Sequence, residues 1–368
     1  MPAPVDALFS PFRLKNLQLP NRIVMAPMTR SASPDHVPGP DVAAYYRRRA
    51  EGGVGLIVTE GVYVPVPQAG FGARVPAMYG DAALAGWHHV VEEVHAAGCV
   101  IMPQLWHVGA WVMPHEQFDP AAPPLGPSGV GPGGTPAPGR VMTQADIDTV
   151  IDAYATAAAS ARAVGFDGVE IHAAHGYLLD QFFWGVTNQR TDRYGGDVAQ
   201  RTQLAIEVLG EMRRRVGPDF PIVLRFSQWK LHDFAAKAWA TPAELEAFLL
   251  PLAAAGVDCF HCSTRKFWLP EFEGSPLNLA GWTKTLTGLP VITVGSVTLG
   301  DELMARDRAA VVPTTGLGEL AERLAAGEFD LVAIGRAIIA NPDWSHLVRA
   351  GAADRLKPYD PKALAALV

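Results

Sequence analysis

The densest group of chemically capable side chains lies between Glu170 and Tyr177, where the chain reads Glu-Ile-His-Ala-Ala-His-Gly-Tyr. Two imidazoles, His172 and His175, and the phenol of Tyr177 follow a short apolar run. Two neutral imidazole N–H groups can hold a carbonyl oxygen and stabilise the charge that forms on it, while a tyrosine can protonate the neighbouring carbon. We predict that these three residues are catalytic and bind the substrate. A His-x-x-His metal pair is the lesser alternative, because no third ligand stands out.

Two glycine turns further along the chain have the composition of a phosphate site. Gly295-Ser296 and Gly335-Arg336 each come directly after a short apolar run. Backbone N–H groups in such turns can cradle a phosphate, and the Arg336 guanidinium can neutralise it. We therefore predict a phosphate-binding site formed by these four residues.

Three polar residues interrupt apolar runs in positions that suit a flat heteroaromatic ring. Thr29 and Gln104 are polar residues near the ends of two of the runs, and both can hydrogen-bond such a ring. Arg225 lies inside the run Val-Leu-Arg-Phe, where an unpaired charge is costly, so it must face an anion or a buried acceptor. An ion pair with Glu170 is the structural alternative for Arg225.

Two further motifs match known signatures in sequence but lack the structural context that those signatures need. Residues 129–134 satisfy the dinucleotide fingerprint G-x-G-x-x-G, but both flanks are rich in proline and no helix start follows, so we reject a nucleotide site there. Cys259 and Cys262 have the spacing of a metal or redox pair, yet no second pair exists and residues three apart on a strand point to opposite faces. We interpret both as ordinary strand residues and predict no metal site and no disulfide.

The elements that must position these groups alternate along the chain between strand-like and helix-like segments. The predicted strands are 23–29, 55–59, 100–105, 168–171, 221–226, 258–262, 290–294 and 331–334. The predicted helices are 41–50, 81–97, 146–164, 197–215, 242–254, 277–286, 318–326 and 343–350. Eight strands alternating with eight helices predict an α/β fold, a closed (β/α)8 TIM barrel, with an open doubly wound sheet as the alternative.

Three local features refine this barrel. Thr143 with Asp146, and Thr241 with Glu244, have the form of capping boxes at helix starts. Residues 12–20 predict an N-terminal hairpin that could plug the barrel floor. Residues 119–139, after the third strand, contain seven prolines and six glycines, so they predict a long loop that is either a wall of the site or an excursion away from it.

Composition excludes several classes of protein. The chain has 368 residues and a formal net charge of −7, which argues against a nucleic-acid surface. Its apolar runs are far shorter than the roughly 20 residues that span a bilayer, and we expect neither a signal peptide nor a membrane partner. We predict one barrel domain over residues 1–368, in the cytoplasm.

Several long stretches together resemble the old yellow enzyme family, the FMN-dependent NADH:flavin oxidoreductases that reduce activated alkenes. They are Leu8-Phe-Ser-Pro-Phe12, Ala26-Pro-Met-Thr29, Gln104-Leu-Trp-His107, His172 to Phe183, Asn188 to Gly196 and Gly335 to Pro342. The resemblance covers nearly the whole chain. Residues 301–318, between the seventh and eighth strands, are longer than is usual in the family.

The resemblance implies a non-covalent FMN at the C-terminal mouth of the barrel. The implied contacts of the ring are Ala26, Pro27, Met28, Thr29, Gly61, Gln104 and Arg225, and those of the phosphate are Gly295, Ser296, Gly335 and Arg336. Arg225 would stabilise the anionic reduced ring. His172, His175, Tyr177 and Trp106 would bind the substrate, and Tyr177 would deliver the proton.

The implied reaction is an ene-reduction with ping-pong kinetics. NAD(P)H would reduce the flavin and leave, and an α,β-unsaturated carbonyl or nitro compound would then take a hydride from flavin N5. The alternatives are a flavin-dependent amine oxidase or demethylase on the same barrel, and a catalytically silent flavin-binding protein. The preferred nucleotide, the physiological substrate and a homo-oligomeric state stay open at this point.

Overall fold

The computed structural model describes residues 5–112, 117–131, 134–299 and 316–368, and a closed barrel of eight parallel strands lies at its centre. The strands of these described ranges are β1 Phe12–Leu14, β2 Leu17–Leu19, β3 Ile23–Met25, β4 Leu56–Tyr63, β5 Val100–Trp106, β6 Leu125–Gly126, β7 Arg140–Val141, β8 Val169–His172, β9 Ile222–Ser227, β10 Cys259–Ser263, β11 Val291–Val294 and β12 Leu331–Ile334. The barrel takes β3, β4, β5 and β8 to β12 in chain order and closes where β12 pairs with β3. The predicted TIM barrel is confirmed, and every predicted strand has its counterpart.

Two strand boundaries differ from the prediction for physical reasons. β3 ends at Met25, whereas the apolar run suggested a strand as far as Thr29. The Ala26 N–H still donates to Ile334 O at 2.9 Å, after which residues 27–29 leave the ladder and turn across the barrel mouth. β4 continues to Tyr63, beyond the predicted end, after an irregularity in the ladder between Val58 and Gly61.

The helices surround the barrel and lie close to their predicted positions. They are α1 Pro40–Glu51, α2 Asp81–Ala96, α3 Gln144–Val164, α4 Leu178–Phe183, α5 Gln203–Val216, α6 Pro242–Ala254, α7 Leu279–Thr287, α8 Leu317–Ala325, α9 Arg336–Ala340 and α10 Trp344–Arg349. The segment predicted as a helix over 197–215 begins as a 3-10 turn, Gln200–Thr202, before α5. The short helices α4 and α9 were not predicted.

One of the two predicted capping boxes is complete. At the start of α3, the Thr143 hydroxyl accepts the Asp146 N–H, and the Asp146 carboxylate accepts the Thr143 N–H at 2.8 Å. At α6, the Thr241 hydroxyl accepts the Glu244 N–H, but the Glu244 carboxylate accepts the N–H of Ala240 instead. The second site is therefore a side-chain cap without the reciprocal bond.

The hairpin β1–β2 closes the floor of the barrel, as predicted. Leu14 and Leu19 are buried and pack against inward-facing side chains of the strands, among them Leu56, Met102 and Cys259. At the turn of the hairpin, Lys15 Nζ lies 2.8 Å from Asp258 Oδ1. The hairpin thus completes the interior core with apolar side chains and is tied to the barrel by an ion pair.

The two cysteines of β10 lie on opposite sides of the strand. Cys259 lies in the interior core, whereas Cys262 faces the helix layer, and both are free thiols, which agrees with their interpretation as strand residues.

The described part of loop 119–139 is anchored, since Ser128 Oγ donates to Thr187 O at 2.6 Å. Most of the long segment 301–318 lies outside the described residues. No helix in the described ranges has both the length and the apolarity needed to cross a membrane.

Candidate active site

A cavity of about 240 Å³ opens at the C-terminal end of the barrel strands. Every predicted site residue except Gly61 lines it: Ala26, Pro27, Met28, Thr29, Gln104, Trp106, His172, His175, Tyr177, Arg225, Gly295, Ser296, Gly335 and Arg336. Barrel enzymes build their sites at this end because the connections that follow the strands meet there. The structure therefore brings together, in one cavity, the groups predicted for phosphate, ring and oxygen binding.

Gly61 has a different position. It lies on β4 opposite Gln104, and a Cβ at this glycine would stand 2.5 Å from Cε3 of the Trp106 ring. Gly61 therefore leaves room for Trp106, which itself lines the cavity. A direct contact between Gly61 and FMN stays a prediction.

Several lining residues were missed by sequence reasoning. Trp229 and Leu231 follow β9, and Ser263, Thr264 and Arg265 lie at or after the end of β10. Their position just beyond a barrel strand is the signal that could have found them. A second cavity of about 180 Å³ lies alongside and shares the walls formed by Trp229 and residues 263–265. No residue in the described part of loop 119–139 lines the main cavity, so this part of the loop is not a wall of the site.

His172 ends β8 and is buried, with only 6% of its surface exposed. Burial lowers the pKa of His172 well below its usual value, and the nearby charge of Arg225 adds to the effect. The imidazole is therefore neutral near pH 7. Its Nδ1 accepts the Ala174 N–H at 3.4 Å, which assigns the ring proton to Nε2 and makes that nitrogen a hydrogen-bond donor.

His175 is held from three sides. Its N–H donates to Ser227 Oγ at 3.0 Å, its Nε2 lies 2.8 Å from Ser263 Oγ, and its ring stacks on Trp229 with centroids 4.3 Å apart. The residue has φ +68°, a left-handed conformation that is unfavourable for a side chain with a Cβ. Burial and the charge of Arg225 lower the pKa of His175 well below its usual value, so this imidazole is neutral too.

Tyr177 lies at the start of α4 and is partly buried. Its ring meets His172 edge to face at a centroid distance of 4.8 Å and meets Trp106 in the same way at 4.9 Å. His175 lies 5.0 Å from His172 by ring centroids. The three predicted catalytic side chains and Trp106 therefore form one aromatic cluster at the cavity.

A buried polar network lies below the cluster. Glu170 accepts from Gln104 Nε2 at 2.8 Å and from His261 Nδ1 at 2.6 Å. Burial opposes ionisation of Glu170, but the charges and hydrogen bonds of His261, together with Arg225 and Gln104, outweigh it and lower the pKa of this carboxyl. Glu170 is thus an ionised acceptor. The network joins three strands, β5, β8 and β10, at the base of the site.

Arg225 does not form the predicted alternative ion pair with Glu170, whose hydrogen-bond donors are His261 and Gln104. Its NH2 group donates to Ser263 Oγ at 3.4 Å, and its Nε is buried without a hydrogen-bond partner. A buried guanidinium N–H with no acceptor is costly. Arg225 also lines the cavity, where a bound acceptor could satisfy this donor.

The residues predicted to bind phosphate, Gly295, Ser296, Gly335 and Arg336, line the same cavity as the histidines. At Gly295, with φ +155°, a Cβ would stand 2.5 Å from Thr264 Oγ1 and 2.7 Å from Thr264 O. Only glycine allows this close passage of β11 into its turn. Gly335 precedes α9, whose first residue, Arg336, lies with its guanidinium carbon 5.5 Å from the Tyr359 ring centroid.

Within the ranges that the structure describes, no group of three or more His, Cys, Asp or Glu side chains is placed to hold a metal ion. His172 and His175 are surrounded by aromatic rings and by Ser263, Ser227 and Arg225, none of which supplies a carboxylate or a thiolate.

Comparisons with known proteins agree with this geometry. Residues 7–355 match the model of the NADH:flavin oxidoreductase / NADH oxidase family. The chain is 34% identical over 365 residues to the NADH oxidase of Thermoanaerobacter brockii, an alignment that covers 95% of this chain and 52% of that protein. It is 32% identical over 362 residues to a chanoclavine-I aldehyde reductase of Penicillium roqueforti, covering 97% and 91% of the two chains. The chain thus spans about half the length of the NADH oxidase that it matches.

Solved structures with the same architecture are also similar in sequence. Morphinone reductase in complex with tetrahydroNAD superposes with a TM-score of 0.78 at 32% identity, covering 97% of this chain and 93% of that one. An old yellow enzyme homologue from Zymomonas mobilis gives a TM-score of 0.77 at 25% identity, covering 98% and 99%.

Proposed function

We propose that this chain, which belongs to the NADH:flavin oxidoreductase / NADH oxidase family, is an FMN-dependent ene-reductase that uses NAD(P)H to reduce α,β-unsaturated carbonyl or nitro compounds. One observation carries the proposal. The neutral histidine pair and Tyr177 line the same cavity as Arg225 and the glycine turns, so groups suited to bind an oxygen and groups suited to bind an anion share one cavity.

The residues present fit FMN. The buried Nε of Arg225 has no hydrogen-bond partner, and the carbonyl and nitrogen edge of a flavin ring bound in the cavity would supply an acceptor. The loop 26–29 and Gln104 would contact the rest of the ring. Gly295, Ser296, Gly335 and Arg336 would hold the phosphate, because Gly295 has no Cβ and Arg336 supplies a positive charge. The positive charge of Arg225 would favour the anionic reduced ring.

The chemistry that FMN supplies when bound is hydride transfer, from the nicotinamide to the flavin and from the flavin to the β carbon of the alkene. The protein supplies the remaining steps. The Nε2–H of His172 and an N–H of His175 would hold the substrate oxygen and stabilise the charge that develops on it. The Tyr177 hydroxyl would give its proton to the α carbon and recover one from solvent, so a hydride and a proton add across the double bond.

Both substrates would use one site. The histidine pair that would hold a carbonyl or nitro oxygen can also hold the carboxamide oxygen of a nicotinamide, so the nucleotide must leave before the alkene binds. We therefore propose ping-pong kinetics. Morphinone reductase, which resembles this chain over almost its full length, has been solved in complex with tetrahydroNAD, and this supports a nicotinamide as the reductant.

An absorption spectrum of the purified protein, recorded without oxygen, tests the proposal. We expect a yellow protein that bleaches with NADPH or NADH and recovers its colour when cyclohex-2-enone is added. An amine that bleaches the flavin without any nucleotide would point to an amine oxidase instead. A flavin that neither nucleotide bleaches would contradict the reductase proposal, and a protein that does not bind FMN would contradict the cofactor assignment.

A further inference from the structure

An ion pair that the proposed reaction does not use lies directly beneath the catalytic loop. Lys230 Nζ is 2.6 Å from Asp180 Oδ1, and both side chains have no exposed surface. Asp180 belongs to α4 and Lys230 follows β9, so the pair connects the segments after two adjacent barrel strands. Burying two charges is expensive and often contributes little to stability, so such a pair calls for an explanation other than stability.

Hydrogen bonds connect the ion pair to His175 and Gly176, whose backbones are both left-handed. Asp180 Oδ2 accepts the Gly176 N–H at 2.5 Å, and Lys230 Nζ also donates to Ser227 O at 3.1 Å. The Ser227 hydroxyl in turn accepts the His175 N–H at 3.0 Å. The His175 carbonyl accepts the Leu231 N–H at 3.2 Å. The Gly176 N–H is therefore bound by a member of the ion pair, and the His175 N–H is bound by the hydroxyl of Ser227, whose carbonyl accepts from Lys230.

The turn needs this support because of its conformation. His175 has φ +68° and Gly176 has φ +88°. A left-handed conformation is unfavourable for a non-glycine residue, so an unsupported His175 would relax to the ordinary region. Relaxation would rotate the imidazole away from Ser263 and Trp229, its present partners.

We infer that Asp180 is a positioning residue, with Lys230 as the counter-ion of its buried carboxylate, and that it holds the His175–Gly176 turn in its left-handed form, so that His175 faces the substrate oxygen and Tyr177 faces the α carbon. This inference rests on the proposed function, because it is the roles of these two side chains that make their orientation matter. Asp180 acts through its acceptor bond to Gly176. Lys230 balances the buried charge of Asp180, so a neutral pair that keeps a side-chain oxygen can keep this bond.

Two charge-free double variants separate the acceptor bond from the charges. D180N/K230M removes both charges but keeps a side-chain oxygen for the Gly176 N–H, whereas D180L/K230M removes the charges and the acceptor. The probe is cyclohexanone, an unreactive ketone, whose binding is read from the change in the flavin absorption band. We expect its Kd to rise about tenfold or more in D180L/K230M and by no more than about threefold in D180N/K230M. The KM for cyclohex-2-enone should rise in parallel.

A second measurement does not depend on flavin or substrate. Amide hydrogen exchange of residues 173–177 should be faster in D180L/K230M than in D180N/K230M, since only the latter retains the Gly176 bond. The control is Lys284→Met, which breaks another ion pair, Lys284 Nζ to Asp330 Oδ1 at 2.8 Å, neither residue of which lines the cavity. This control should lower stability without changing the exchange of 173–177 or the Kd for cyclohexanone.

The outcomes separate the two proposals. A D180L/K230M protein that exchanges and binds cyclohexanone like the wild type would overturn the positioning role, as would equal losses in the two doubles. A wild-type protein without a flavin response would contradict the proposed function alone. The exchange comparison would still decide the positioning role in that case.

Discussion

At the scale of single residues, Tyr177 can be separated from the other groups of the site. Its ring touches His172 and Trp106, but its hydroxyl has only the proton-transfer task in the proposed reaction. Tyr177→Phe should therefore slow alkene reduction about 100-fold or more and leave flavin reduction by the nucleotide almost unchanged, because only alkene reduction needs a proton. Anaerobic stopped-flow measurements of the two half-reactions check this. Equal slowing of both would mean that Tyr177 is not the proton donor.

The two histidines predict a flat pH dependence for binding of the substrate oxygen. Burial and Arg225 hold the pKa of each imidazole well below its usual value, so both are neutral through the physiological range. The Kd for cyclohexanone should stay constant between about pH 6 and pH 9, where an exposed histidine with its ordinary pKa of about 6.5 would titrate. A change of the Kd near pH 6.5 would show that at least one imidazole titrates there and would contradict the lowered pKa values of the pair.

Glu60 gives a residue-scale prediction about stability. Its buried carboxylate accepts the N–H groups of Arg30 and Ser31, just beyond the loop 26–29, and burial raises its pKa from 4.5 to about 7. As the pH rises, the unfolded state loses this proton first, so the contribution of Glu60 to stability is largest below pH 4.5 and declines until the pH passes 7. Glu60→Gln removes this slope.

We therefore compare the free energy of unfolding of Glu60→Gln with that of the wild type at two pH values. The difference should shift by about 2 kcal/mol in favour of the variant from pH 5 to pH 8. Urea unfolding at both pH values measures this difference. Glu51→Gln, on the exposed surface of α1, is the control and should show no such change. A difference that does not vary with pH would mean that Glu60 is already ionised at pH 5.

At the scale of elements, the sequence predicted best what local chemistry determines. The α3 start at Thr143 follows from a capping box that closes within four residues. The barrel strands follow from short apolar runs that end in polar or glycine residues. The end of β3 could not be predicted in this way, because Ala26 to Met28 are as apolar as a strand and only their passage across the barrel mouth removes them from the ladder.

Short helices and contacts between residues distant in sequence could not be predicted from the sequence. α4 has six residues and α9 has five, too few for a helical period to be visible in the sequence. The ion pair between Asp180 and Lys230 joins residues 50 positions apart, and no local pattern relates them. The residues predicted for the site, apart from Gly61, do line one cavity, because most of them lie near the end of a barrel strand.

The turn after β11 supplies a prediction at the element scale. A Cβ at Gly295 would lie within 2.7 Å of both Thr264 Oγ1 and Thr264 O, so Gly295→Ala must displace the turn that leads into Ser296. We expect FMN to bind at least about tenfold more weakly, since small displacements of a binding group have effects of this size. Fluorescence titration of the apoprotein with FMN measures the Kd.

Gly327→Ala is the matched control for this turn. Gly327 also has a positive φ, +77°, but a Cβ there would have no neighbour within 4 Å. It should therefore show the backbone cost of alanine without a change in FMN affinity. If Gly295→Ala binds FMN with wild-type affinity, the assignment of this turn to the phosphate site is wrong.

At the scale of the whole molecule, the two ends of the barrel have different tasks. The hairpin β1–β2 fills the floor with Leu14 and Leu19, whereas the cavity opens at the mouth, where the strands end. Between them lies the interior core of side chains from the barrel strands, which includes Val24, Leu56 and Ile292. This division separates the residues that stabilise the barrel from those that bind and react.

Substitutions in the floor should therefore lower the stability of the protein without slowing its reactions. Leu14 is 1% exposed and packs on the interior core, so Leu14→Ala should lower the free energy of unfolding by about 2 to 4 kcal/mol. Lys15→Met, which removes the ion pair with Asp258 at the same turn, should cost less, because that pair is partly exposed. Urea unfolding measures both losses, and the rates of the two half-reactions at low temperature should equal those of the wild type. A Leu14→Ala protein that remains folded but has a slower half-reaction would mean that the floor helps to shape the site through the interior core.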